Sequence, residues 1–222
     1  MNNPNFSAWN TRQKQLRALL ADRSARDAAV ALFLDQHAAT HAGGLPDAPG
    51  VWSAEDDVWF GRSAADLRCI PPGEEHSVVW ISWHLSRCED ITMNMLVAGA
   101  EQVLFTEDWH TRIGAPARDT GSAMDPPAIA AFSAQADPAA VRAYRAAVAL
   151  RTRAIARGLS VTDLRRKPDP ARVAWVLACG AVDPTQTWLT DYWGNQTAAG
   201  LLLMPASRHA MVHWNEAYRQ MR

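Results

Sequence analysis

Near the end of the chain, Arg208-His209-Ala210-Met211-Val212-His213 sets two histidines four positions apart. On a helix, residues i and i+4 stand one above the other, about 5–6 Å apart at Cβ, so both imidazoles can converge on one metal ion. A third candidate is His84, within Ser77-Val78-Val79-Trp80-Ile81-Ser82-Trp83-His84-Leu85-Ser86-Arg87-Cys88-Glu89-Asp90. At about 100° per residue it shares a helix face with Trp80, Cys88, Ile91 and Met95 and points into the protein. Taken alone, an HxxxH pair also arises from packing, and a lone inward histidine is more simply a satisfied core residue. Together, three neutral imidazoles from two helices would hold Zn²⁺, Ni²⁺ or Fe²⁺ and leave positions for water and substrate.

Other titratable residues call for a reading beside these. His37 and His41 form another HxxxH pair, at a helix end next to Gly43-Gly44. A surface pair at a fraying terminus is the favoured reading; the alternative is that both line the same cavity as the metal. His76 and His110 sit in loop-like contexts and are expected in solvent. Glu89 and Asp90 fall off the His84 face; solvated or capping carboxylates are the favoured reading, and the alternative is a supporting partner for another helix. Glu216, one turn beyond His213, is either a residue that orients a ligand or acts as general base, or a helix-surface acid. Cys88, one turn from His84, is the residue that could close the coordination. The tryptophans Trp80, Trp83, Trp188, Trp193 and Trp214 read as core, with one or two available as an apolar cavity wall.

The elements that position these residues are helical. Hairpin signals and sustained two-residue alternation are absent, and Ala/Leu/Arg-rich segments are punctuated by Gly, Pro and Asp. The first helix spans Thr11 to His41, broken near Asp22 to Ser24 and stopped by Gly43-Gly44. Ser53 and Ser63, each with Asp three residues on, open short helices. Ser77 caps a long helix from Val78 to about Val97, closed by Gly99. After a long connection from Glu101 to Asp137, Asp137-Pro138 opens a third helix to Arg157, in the cap-then-proline order of helix starts. Asp169-Pro170 opens another through Ala178, and a short irregular stretch follows Asp183-Pro184. The last element, Thr197 to Met221, carries Pro205, which predicts a kink or break. The sum is one all-α domain over residues 1–222, a helical bundle with long crossovers.

Composition supports this. The chain has 222 residues, 48% of them hydrophobic, and 22 basic residues against 23 acidic give a net charge of −1. No global field draws it to nucleic acid or an anionic membrane. The arginines Arg142, Arg145, Arg151, Arg153, Arg157, Arg165 and Arg166 spread around their helices and read as a solvated face rather than a nucleic-acid stripe. No apolar stretch reaches the roughly 20 residues of a membrane span, and the N-terminus lacks signal-peptide character, so a cytoplasmic location is expected. Cys69, Cys88 and Cys179, an odd set without CxxC spacing, read as reduced thiols, mostly buried.

The segment Ser77 to Asp90, followed much later by His209-x-x-x-His213, resembles the DinB-like (YfiT-like) superfamily of four-helix metalloproteins. The resemblance implies a four-helix bundle with long, partly helical crossover loops and a metal triad of His84, His209 and His213. It also implies thiol-dependent transferase chemistry with bacillithiol, mycothiol or glutathione, as in family members, and a homodimer. Arg87 and Arg208, adjacent to the motifs, are the candidates to bind carboxylates of such a thiol. Where the mycothiol-linked isomerases favour a Glu in place of one histidine of the pair, both positions here are imidazoles. The rival readings are a hydrolase using activated water and a non-catalytic metal-binding protein. On this assignment, replacing His37 or His41 leaves the metal bound.

Overall fold

The computed structural model describes residues 4–43 and 45–220, and among them every regular element is helical. Gly44 and Met221, invoked above as a helix stop and a helix end, lie outside the described residues. The predicted first helix is two, α1 (Pro4–Ala21) and α2 (Arg26–Ala38), broken where extended Asp22 accepts a hydrogen bond from the Ser24 N–H. Ser53 and Ser63 accept from the N–H groups of Asp56 and Asp66 and open α3 (Ala54–Trp59) and α4 (Ala64–Arg68).

Ser77 caps α5 (Val78–Asp90) by accepting from the Trp80 N–H. All 13 residues of α5 are buried, so it is the central helix and not an amphipathic one. It continues as a π-helix over Ile91–Ala98 and stops at Gly99, whose φ of 67° a side chain would resist. The long connection folds into α6 (Val103–Thr106), α7 (Trp109–Arg112) and α8 (Pro126–Gln135). Then come α9 (Pro138–Gly158), α10 (Val161–Leu164) and α11 (Pro170–Ala178). The stretch expected to be irregular is instead α12 (Thr187–Asn195), which buries Leu189, Thr190 and Trp193 on one side.

The last element breaks at the proline. α13 (Ala198–Leu203) passes through a π turn, Met204–Arg208, into α14 (His209–Gln220). Pro205 has no N–H to give the ladder. Ser207 Oγ donates instead to the carbonyls of Leu202 (2.8 Å) and Leu203 (3.1 Å), and Gln13 of α1 donates to the Leu203 carbonyl at 3.0 Å. The break is thereby hydrogen-bonded and held at a fixed geometry directly before His209.

Around α5 pack α9, α14, α8 and α4, while α1 lies along α2. Two expectations about polar residues fail here. Arg145 and Arg153 of α9 are buried, at 0% and 2% exposure, not solvated. Each is paired, as burial of a guanidinium demands: Arg145 donates to Glu55 (2.8 Å) and the Thr40 carbonyl (2.7 Å), Arg153 to Asp47 (2.9 Å) and the Leu34 carbonyl (2.6 Å). Asp90 is also buried, not solvated: it accepts from the backbone N–H groups of Val103 and Leu104, the Tyr144 hydroxyl and Arg87. The three cysteines are free, but Cys69 and Cys179 are exposed and only Cys88 is buried. Trp188 is 58% exposed, outside the core expected for it. Among the described residues no helix is long and apolar enough to cross a membrane.

Candidate metal centre

α5 and α14 bring three imidazoles together. The ring centroids of His84, His209 and His213 lie 5.0, 5.3 and 4.8 Å apart in pairs, and the Nε2 atoms of His84 and His209 are 3.3 Å apart. The i, i+4 spacing on α14 and the inward face of α5 produce this convergence.

The hydrogen bonds on the far side of the rings set which nitrogen is free. His84 Nδ1 is 2.6 Å from the Thr120 carbonyl, which can only accept, so Nδ1 carries the proton. His213 Nδ1 is 2.8 Å from Glu216 Oε2. Burial pushes Glu216 up, but the hydrogen bonds from His213 and His76 outweigh it and bring its carboxyl down to about 2, so it too only accepts. In the neutral form each of these two rings therefore keeps a bare Nε2. Burial, then the neighbouring His213, lowers His84 to about 3, and burial and the two other histidines hold His209 well below the usual range, so His84 and His209 are neutral. His209 Nε2, 3.3 Å from the bare Nε2 of His84, either donates to it or, with its proton on Nδ1, joins it in facing a divalent cation.

Cys88 comes to 3.9 Å of His84 Nε2, and its sulfur forms a group with His84 and His209 whose ligand atoms lie within 4.8 Å of one another. Burial pushes its thiol up to about 12, so without a cation it stays protonated. Beside these residues a cavity of about 170 Å³ is lined by His84, Cys88, His209, Trp188, Trp193 and Pro205, with Ser122, Leu189, Tyr192 and Met204 completing it.

The other sequence candidates take different places. Glu216 bridges His213 and His76, with His76 Nδ1 3.0 Å from its second oxygen. Arg208 is exposed. Arg87 is 0% exposed and faces away from the histidines, toward Asp90, the Tyr144 hydroxyl (2.9 Å) and the Arg118 carbonyl (2.7 Å). His37 and His41 are neither a frayed surface pair nor part of this cavity: at 0% and 1% exposure, both bind Glu89, itself buried rather than solvated. The fraying argument fails because Thr40 and His41 continue the chain in turns whose carbonyls are taken up by buried partners, Trp214 and Arg145 on the Thr40 oxygen and Ser53 on that of His41.

Sequence reasoning missed His76, expected in solvent. It stacks on Trp80 at 4.1 Å and 13°, and Trp80 stacks on His84 at 4.9 Å and 5°, a column of three rings behind the centre. The signal was the four-residue spacing of 76, 80, 84 and 88. It also missed Thr120 and Gly121. A Cβ on Gly121 would meet Trp83 at 2.6 Å, and its φ is 75°, so glycine lets this loop close over Trp83 and aim the Thr120 carbonyl at His84.

No curated protein matches the chain. The sequence profile of the DinB superfamily matches residues 51–217, a span that takes in α5, α14 and all three converging histidines. The chain belongs to the DinB superfamily.

Proposed function

We propose that this protein is a four-helix-bundle metalloenzyme in which His84, His209 and His213 hold a divalent ion, zinc foremost and nickel or iron otherwise. In this reading it joins a low-molecular-weight thiol to an apolar electrophile: the S–H proton passes to solvent as the thiol ionises, the sulfur bonds to the electrophilic carbon, and the bond from that carbon to its leaving group breaks, releasing the group as an anion. The observation that carries the reading is the convergence of three imidazoles, with the bare Nε2 of His84 3.3 Å from Nε2 of His209, beside a cavity that His84 and His209 themselves line. A divalent ion at that point would favour the ionised form of a thiol that reaches it. The chain's own residues do the rest. Thr120 and Glu216 fix the rings, and the Trp80 stack prevents His84 from turning. Trp188, Leu189, Tyr192 and Trp193 offer an apolar wall to the electrophile.

The choice of a thiol over water rests on the family resemblance: a divalent ion favours the ionised form of either, and Glu216, with both oxygens engaged by histidines, is free to serve as base to neither.

The test is consumption of an activated aryl halide by the zinc-loaded protein with glutathione, mycothiol or bacillithiol. Turnover with at least one thiol is expected, lost in His209→Ala and retained in Cys88→Ser. Hydrolysis of a chromogenic ester that depends on His209, with no thiol consumed, would replace the reading by the hydrolase. Loss of the ion in Cys88→Ser would mark a closed, non-catalytic centre.

A further inference from the structure

α5 presents donors on two sides. Toward α14 it turns His84; toward α2 it turns Glu89, and there the other HxxxH pair waits. His37 Nε2 lies 2.8 Å from one oxygen of Glu89 and His41 Nε2 lies 3.0 Å from the other. The two rings are 4.2 Å apart, and the ligand atoms of all three residues fall within 4.8 Å of one another. Side-chain exposure is 0% for His37 and 1% for His41 and Glu89.

A carboxylate removed from water calls for a cation against it. The buried guanidinium groups of α9 are hydrogen-bonded elsewhere, Arg145 to Glu55 and Arg153 to Asp47, and Arg153 reaches Glu89 only through its charge. Among the described residues the hydrogen-bond partners of the Glu89 carboxylate are the two imidazoles. Separations of 2.8 and 3.0 Å are those of hydrogen bonds and fall short of the roughly 3.4 Å between donors on a tetrahedral ion, so an ion replaces the two shared protons with a parting of a few tenths of an ångström. Two imidazole nitrogens and a carboxylate suit Zn²⁺, Fe²⁺ or Ni²⁺.

We propose that His37, His41 and Glu89 form a second, buried site for a divalent transition-metal ion, separate from the His84 centre, that ties α2 to α5. Side-chain exposure of at most 1% shuts the three residues off from solvent, so the role of the site is to hold the two helices together.

Zinc content of the full chain, expressed with zinc and measured by elemental analysis, tests this. The wild type should carry two ions per chain, Glu89→Gln one and His209→Ala one. Glutamine keeps the shape of the side chain and can hydrogen-bond both imidazoles, so Glu89→Gln should fold if hydrogen bonding is all the cluster does. Zinc content unchanged by Glu89→Gln would overturn the proposal and leave a proton, not a metal, between these groups. Loss of an ion in Glu89→Gln but not in His209→Ala would keep this site and remove the His84 centre; the reverse would do the opposite. Should Glu89→Gln fail to fold, the His84→Ala/His209→Ala double variant decides. One ion with only nitrogen and oxygen donors by X-ray absorption supports the site; no ion overturns it.

Discussion

Glu216 is the residue on which the geometry of the His84 centre turns, because one carboxylate fixes His213 and anchors His76 together. Glu216→Gln retains an acceptor for only one of the two rings. Partners of this kind contribute about 10–100-fold to metal affinity, so zinc affinity in competition with a chelator should drop by that order while far-UV circular dichroism stays unchanged; unchanged affinity would remove Glu216 from the centre. The buried histidines also predict acid sensitivity. His84 is lowered to about 3 from 6.5, and His37, His41 and His209 shift in the same direction, each chiefly through burial. The unfolded chain takes up protons that the folded chain refuses, so stability is full above about pH 6.5 and is lost as pH falls from there toward 3. Each such histidine steepens the slope by up to about 1.4 kcal/mol per pH unit. Urea midpoints of metal-free protein should therefore fall between pH 7.5 and 5.5; a flat profile would contradict the neutral imidazoles. At this scale His84, His209 and His213 were legible, since helical spacing alone puts them on the right faces. Glu89, Asp90 and Arg87 were not, because a helix buried on every side has no solvent face to receive its charges, and their partners lie on α2, α6 and α9.

The helix starts at Asp137 and Asp169 were legible because their chemistry is local: each precedes a proline and accepts from an N–H of the turn it opens. Asp125 and Asp183 carry the same signal and cap α8 and a 3-10 turn, but sequence reasoning missed it inside a long connection and an expected irregular stretch. The break at Pro205 was equally readable, while the contacts that hold it were not: Gln13, 190 residues before Leu203, donates to that residue's carbonyl and to the Ser207 hydroxyl. The loop carrying Thr120 and Gly121 was likewise invisible, since only the fold brings it against Trp83 and His84. Gly121→Ala combines a positive φ with a 2.6 Å approach to a buried indole. It should destabilise the fold by more than about 1 kcal/mol and weaken metal binding by freeing His84 from the Thr120 carbonyl. Thermal denaturation with and without zinc measures both effects; an unperturbed melting temperature would show that the loop does not press on α5.

For the molecule as a whole, the two HxxxH pairs bracket one central helix, with α14 supplying His209 and His213 against His84, and α2 and the turn after it supplying His37 and His41 against Glu89. Burial of α5 on all sides makes this possible, and the buried Arg145 and Arg153 with their carboxylates brace the α2 flank. Membership of the DinB superfamily rests on residues 51–217, which hold the His84 centre and exclude the α2 pair. The function proposed for this molecule depends on His84, His209 and His213 holding a divalent ion between them. Crystals of the zinc-loaded protein, with anomalous diffraction recorded at the zinc absorption edge, locate that ion. A peak about 2.0–2.1 Å from the Nε2 atoms of all three residues is expected. An anomalous map without density among them, in protein that elemental analysis shows to contain zinc, would contradict it.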